Sequence, residues 1–234
     1  MTPIQAIIFD LDGVIVDSEP WWAAGRVEVE ARFGGVWRPA DEAAMKGRNS
    51  REWSVAMADR LGGRVDPEVL EAAVVTAIVE RYAHDAPPAI PAGVAAARRL
   101  SGRYRLAIAS SAHPRVISAA LEATGLRDRF EALVSADEVG VGKPAPDVYL
   151  EAARRLSVVP AAALVVEDAG VGVRAARAAG MRVVLVPTEA VPPSPADRSL
   201  ADLVLASLDA LDEATIEGLA AGPRGSPARP STDR

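Results

Sequence analysis

The chain has 234 residues, enough for one large domain or a core with a smaller insertion. Half of them are hydrophobic but only 4% are aromatic, so a core must be built mainly of Ala, Val and Leu; 26 Lys+Arg against 32 Asp+Glu leave a net charge of −6, which offers no general attraction to nucleic acid or an anionic membrane. Cysteine is absent, which excludes disulfides, Cys-ligated zinc and thiol catalysis.

The N-terminal residues Met1 to Gln5 lack the basic region of a signal peptide. The apolar run that follows, Ala6 to Phe9, ends in Asp10 and suits a strand buried on both faces. From Asp17 to Ala86 only helical patterns occur, at 21–33, 50–61 and 67–82. Pro87, Pro88 and Pro91 then mark a linker. Beyond it helix and strand alternate. A helix at 93–100 precedes a strand at 106–109, which ends in Ser110 and Ser111. A helix at 115–124 is stopped by Gly125. A weaker strand at 132–134, a helix at 146–156 and a strand at 164–166 ending in Glu167 and Asp168 continue the series. A helix at 172–179, stopped by Gly180, and strands at 181–186 and 203–205 complete it. No apolar stretch reaches the ~20 residues of a membrane helix, so the expectation is a soluble, cytoplasmic protein.

This alternation predicts an α/β fold with a parallel sheet. The expected division is a core of residues 1–16 and 89–221, an inserted helical cap at 17–88, and a disordered tail at 222–234. In parallel sheets ligands sit at the carboxyl ends of strands, and three expected strands end in residues capable of chemistry.

Asp10 and Asp12 lie two apart, so an extended segment would point both carboxylates to one side. One ionised Asp could attack phosphorus and the other could exchange protons with the leaving oxygen and water; the bland alternative is a turn with an N-cap. Glu167 and Asp168 form a second acidic pair. Four converging carboxylates suit a hard divalent cation, magnesium rather than zinc, although such a pair also opens and caps helices. Ser110, ahead of a helix start, could cradle phosphate, or Ser110 or Ser111 could simply cap that helix. Lys143, in the stiff loop Gly140 to Asp147, could neutralise both phosphate and carboxylates, or be an exposed loop lysine. Gly142-Lys143-Pro144 is not a Walker loop. Gly170 to Ala175 fits a dinucleotide fingerprint, but Glu167 and Asp168 immediately before it would repel a pyrophosphate. His113 reads as a solvated helix-start residue.

Together Asp10-Leu11-Asp12-Gly13-Val14, Ser110, Lys143-Pro144 and Glu167-Asp168 resemble the haloacid dehalogenase-like hydrolases, over nearly the whole chain except the tail. The resemblance implies a Rossmann-like core, Asp10 as nucleophile, Asp12 as general acid/base, and Ser110, with Ser111 beside it, and Lys143 as phosphate-binding groups. It implies Mg²⁺ held by Asp10, the Asp12 backbone carbonyl and Asp168, with Glu167 near or acting through water. The insertion resembles the small-cap group of β-phosphoglucomutases, sugar and polyol phosphatases and phosphoglycolate phosphatases. Asp17 to Trp22 looks most like the sugar and hexitol phosphatase branch, and Met45 to Glu52 is similar to a cap substrate loop. Trp22, Gly47, Arg48 and Arg51 are thus the expected cap contacts to substrate. Mutases usually carry His where this chain has Trp22, which favours a phosphatase of small phosphorylated metabolites, with sugar-phosphate mutase or phosphoglycolate phosphatase as alternatives. The expected partner is a small phosphorylated substrate, with no nucleic acid or membrane, for a monomer or weak homodimer.

Overall fold

The computed structural model describes residues 2–45, 47–188 and 192–222. In chain order they form β1 (Ala6–Phe9), α1 (Glu19–Arg32), α2 (Pro39–Ala43), α3 (Ser50–Arg60), α4 (Pro67–His84), α5 (Pro91–Leu100), β2 (Arg105–Ser110) and α6 (Pro114–Ala123). There follow β3 (Ala132–Ser135), α7 (Ala136–Val139), α8 (Asp147–Arg155), β4 (Ala163–Glu167), α9 (Gly170–Ala178), β5 (Arg182–Leu185), α10 (Pro195–Leu200), β6 (Leu203–Val204) and α11 (Glu213–Ala221).

The strands make one parallel sheet in the order β3-β2-β1-β4-β5-β6, the Rossmann-like doubly wound arrangement. β1 sits at its centre because both of its faces find apolar cover. Ile7 and Phe9 join Leu106, Ile108, Leu164 and Val166 in one layer with α5, α6 and the cap. Ala6 and Ile8 join Ala107, Ala109 and Val165 in the other, beneath α8 and α9. The many alanines here, with Ala152, Ala153, Ala175 and Ala176 facing them, let helices lie close on the sheet without aromatic filler.

The cap is α1 to α4, inserted between β1 and α5. Its entry and exit strands run side by side. Asp17 N–H donates to Pro88 O and Ile90 N–H to Ile15 O, each at 2.8 Å, around an antiparallel Val16–Ala89 bridge. Inside the cap, Trp21 packs edge-on against Tyr82 at 4.9 Å between ring centroids.

All six expected strands are present. α2, α7, α10 and α11 were not anticipated. The first three have 5, 4 and 6 residues, too few to display a helical period, and α11 is a weakly amphipathic Ala/Gly-containing segment started by the Asp212 cap on Thr215 N–H. Pro91, read as linker, is the first residue of α5, where its missing N–H costs nothing. Residues 223–234 of the expected tail lie outside the described residues. No helix among the described residues is long and apolar enough to cross a membrane.

Candidate active site

Three strand ends meet at one level. Phe9 is in register with Ile108 of β2 and Val166 of β4, so Asp10 emerges beside Ala109 and Glu167. Its N–H continues the ladder to Val166 O at 2.9 Å. Asp10, Glu167 and Asp168 each place a carboxylate oxygen within 4.8 Å of the others, an all-oxygen set of the kind that hard divalent cations take. Gly13 makes this possible. It has φ of +80°, and a Cβ there would collide with the Asp168 carboxylate.

Lys143 is the counter-charge. Only 7% exposed, it donates to Asp10 Oδ1 at 2.8 Å, Glu167 Oε1 at 2.7 Å and Ala109 O at 3.2 Å. Its Nζ lies 4.8 Å from the centroid of the Tyr149 ring. The Tyr149 hydroxyl also donates to Glu167 Oε1, and the N–H groups of Asp168 and Ala169 donate to Oε2 at 3.1 and 3.2 Å. Both Glu167 oxygens are therefore committed to protein donors. Burial would lower the Lys143 pKa, but the Asp10 and Glu167 carboxylates carry it well above its ordinary value. Burial pushes Asp10 up to about 7, with Glu167 and Asp12 adding to the rise and Lys143 opposing it.

Asp12 lines the same pocket as Asp10, as expected, but from a turn rather than from an extended segment. The chain bends at Leu11, whose carbonyl accepts N–H groups from Val14, Ile15 and Val16. The two-residue alternation of a strand thus ends before Asp12. Its carboxylate lies outside the group of three and instead accepts from the Ser18 hydroxyl at the start of the cap. Burial raises it to about 6, against the favourable donors Ser18 and Trp22. Both carboxylates face one pocket, Asp10 as a member of the acidic cluster and Asp12 with its Ser18 partner at the start of the cap.

Cap and core close around this point. Asn49 caps α3 by accepting Glu52 N–H while Glu52 accepts Asn49 N–H, both at 2.9 Å. Ser50 N–H donates across to Asp137 Oδ1 at 2.6 Å, and the Ser111 hydroxyl donates to Gly47 O at 3.0 Å. Ser110 Oγ, buried, accepts Ala112 N–H at 3.0 Å. One pocket is lined from the core by Asp10, Asp12, Ser110, Ser111, Lys143, Glu167 and Asp168, and from the cap by Trp22, Gly47 and Arg48.

Arg51 is not among the lining residues. Ser50, Trp53, Ser54 and Met57 make the buried face of α3, and Arg51 falls off that stripe, exposed and near the Glu71 carboxylate. His113 is less solvated than expected. It is the N-cap of α6, with Nδ1 accepting Arg115 N–H at 3.1 Å and Nε2 3.8 Å from Glu71 of the cap. The glycines of the apparent dinucleotide fingerprint serve the carboxylates instead, since a Cβ at Gly172 would overlap Glu167. Glu19, Arg26, Glu42 and Trp53 also line the pocket and were not anticipated. Glu19, Trp22 and Arg26 are spaced i, i+3, i+7 on α1, so the helical period from Trp22 would have found the other two.

The sequence profile of the haloacid dehalogenase-like hydrolases matches residues 4–180. Among characterised proteins, the fructose-1-phosphate phosphatase YqaB of Escherichia coli is 36% identical over 180 residues, 76% of this chain and 94% of that one. Hexitol phosphatase B of the same organism is 32% identical over 226 residues, 89% and 94% of the two chains. The crystal structure of CbbY from Rhodobacter sphaeroides in complex with phosphate superposes with a TM-score of 0.78 at 26% identity, covering 92% of this chain and 99% of that one. The chain belongs to the haloacid dehalogenase-like hydrolases and is a phosphoric monoester hydrolase of that family.

Proposed function

We propose that the protein is a Mg²⁺-dependent phosphatase of sugar or polyol phosphates that works through an aspartyl-phosphate on Asp10. The observation that carries this reading is the division of the two aspartates. Asp10 is fixed by Lys143 beside Asp168, and Asp12, in the same pocket, is held by the Ser18 hydroxyl. Asp10 Oδ attacks phosphorus and the bond to the sugar oxygen breaks. Asp12 supplies the proton which that oxygen needs to leave. Asp12 then takes a proton from water, which attacks the aspartyl-phosphate, frees inorganic phosphate and regenerates the Asp10 carboxylate. Lys143 offsets the charge of the incoming phosphoryl group, and Ser110 and Ser111 lie at its rim.

The donor set fits magnesium: hard oxygens gathered over a glycine that leaves them room. Asp10, Asp168 and the Asp12 carbonyl would hold it. Glu167, with both oxygens occupied, would act as a positioning group for Lys143 and for ligands of the ion. When bound, Mg²⁺ supplies positive charge against which phosphate and Asp10 can approach one another. Hydrolysis is favoured over phosphoryl return to a sugar because Trp22 stands at the cap wall and no histidine is among the described residues that line the pocket. The sugar and polyol preference rests on the named activities of the two Escherichia coli relatives.

The test is Asp10→Asn, which removes the nucleophilic oxygen with little change of shape. It should abolish Mg²⁺-dependent phosphate release from a hexitol phosphate and from an aryl phosphate. Full activity in that variant would sink the mechanism.

A further inference from the structure

The N-terminus of α3 meets the core at a carboxylate that the phosphoryl chemistry does not use. Within the cap, Asn49 and Glu52 satisfy each other's backbone N–H groups, and Trp53 N–H begins the helical ladder at Asn49 O. The N–H of Ser50, in the first turn, is left over. Ser50 is fully buried, so bulk water does not take it. Asp137 of α7 does, through Oδ1 at 2.6 Å, across 87 positions of the chain. Asp137 Oδ2 is buried and has no hydrogen-bond partner among the described residues, and the same holds for Ser50 Oγ. A half-satisfied carboxylate is an expensive way to finish a helix. What its charge adds is a directed hold on the positive end of α3.

Asp137 is also wired to the loop that carries Ser110. Its N–H donates to Ser135 Oγ at 3.1 Å, Ser135 Oγ donates to Ala112 O at 2.7 Å, and Ala112 N–H donates to Ser110 Oγ at 3.0 Å. Hydrogen bonds through Asp137, Ser135 and Ala112 thus join the cap helix to Ser110. The loop of Lys143 is reached by packing. A Cβ at Gly142 would lie 2.7 Å from Gly47 O and from Glu52 Oε2, and one at Gly47 would lie 3.2 Å from Lys143 O. The start of α3 therefore rests on both loops at once.

Building on the phosphatase reading, we propose that Asp137 is a positioning residue that holds the α3 N-terminus, and with it Gly47 and Arg48, in register with Ser110 and Lys143. Substrate then meets a pocket whose cap wall and phosphate side are already aligned. Without Asp137 the aligned arrangement is a smaller fraction of the free protein. Apparent affinity falls by that fraction, and saturating substrate restores the arrangement. The signature is a rise in KM with kcat kept.

Asp137→Ala and Asp137→Asn are made in the full chain and compared with wild type, with Mg²⁺, on an aryl phosphate and on sorbitol 6-phosphate. Exchange of the Ser50 amide is followed by NMR without substrate. Asp137→Ala should raise KM about tenfold or more, the size of one charge-assisted hydrogen bond, on each substrate turned over, with kcat within about threefold. It should speed Ser50 amide exchange about tenfold or more and leave the amides of β1 unmoved. Asp137→Asn keeps the shape and one acceptor oxygen, so it remains informative if Asp137→Ala does not fold; it should move KM and exchange the same way by about threefold. Unchanged KM, a loss confined to kcat as a merely structural residue would give, or wild-type exchange at Ser50 in both variants overturns the proposal. Failure of the wild-type protein to hydrolyse any phosphate monoester would instead overturn the phosphatase reading, while the exchange rates still judge the hold of Asp137 on α3.

Discussion

Asp10 and Asp12 are the same side chain two positions apart, and their surroundings make them different acids. Asp10 shares Lys143 with Glu167, whereas Asp12 shares Ser18 with the cap. Lys143 is the residue on which the first arrangement depends, because without its ammonium two buried carboxylates would face each other uncompensated. Lys143→Met should lower kcat by roughly 10²–10³, the loss expected for one preorganised electrostatic group. Lys143→Arg should recover little of it, since a planar guanidinium does not fit where a compact ammonium makes three contacts. Steady-state kinetics on an aryl phosphate checks both, and near-wild-type kcat in Lys143→Met would contradict this role. Asp10, Glu167 and Asp168 were legible in the sequence because each ends or directly follows a strand, and Lys143 because it stands in a short loop of Gly and Pro. Arg26 and Glu42 were not. They come from different helices, 16 residues apart, and only the folded cap brings them into contact.

At the scale of elements, the N-terminus of α3 does two jobs. Asn49 and Glu52 satisfy each other's backbone N–H groups, and the same turn carries Gly47 and Arg48 to the pocket and hands Ser50 N–H to Asp137 of the core. Loss of the cap in Asn49→Ala should cost about 1 kcal/mol, a fall of about 2–4 °C in Tm for a chain of this length. It should also raise KM more than it lowers kcat, because the loop it steadies lines the cap side of the pocket and not the acidic cluster. Thermal melts and steady-state kinetics on a hexitol phosphate test the two halves, and an unchanged KM would separate the cap from substrate binding. The sequence pattern S/T/D/N-x-x-E is present at Asn49, so this helix start was readable, and the expected helix at 50–61 begins where α3 does. The direction of Arg51 was not readable. It follows from which face of α3 meets α4, a packing choice that residue spacing near the loop does not reveal.

For the whole molecule, a cation that binds the folded acidic cluster and not the unfolded chain must stabilise the fold. At one hundred times Kd the gain is about 2.7 kcal/mol, or roughly 5–10 °C in Tm at this size. Differential scanning fluorimetry with Mg²⁺ and with chelator should show that rise in the wild-type protein and its absence in Asp168→Asn. An equal Tm in both conditions would count against magnesium at the cluster.

The paired strands at Ile15–Asp17 and Pro88–Ile90 have a further bearing on how such a protein can change. The polypeptide leaves the sheet and returns to it at neighbouring backbone hydrogen bonds, so the lobe between them is joined to the core covalently at one place, its other links being side-chain and loop contacts such as Ser50 to Asp137 and Ser111 to Gly47. Replacement of that whole helical lobe would leave Asp10, Lys143, Glu167 and Asp168 in place on the core and would remove the Ser18 partner of Asp12. Descent can therefore alter what is recognised and what is done to it at separate rates, as a tool may change its jaw and keep its handle.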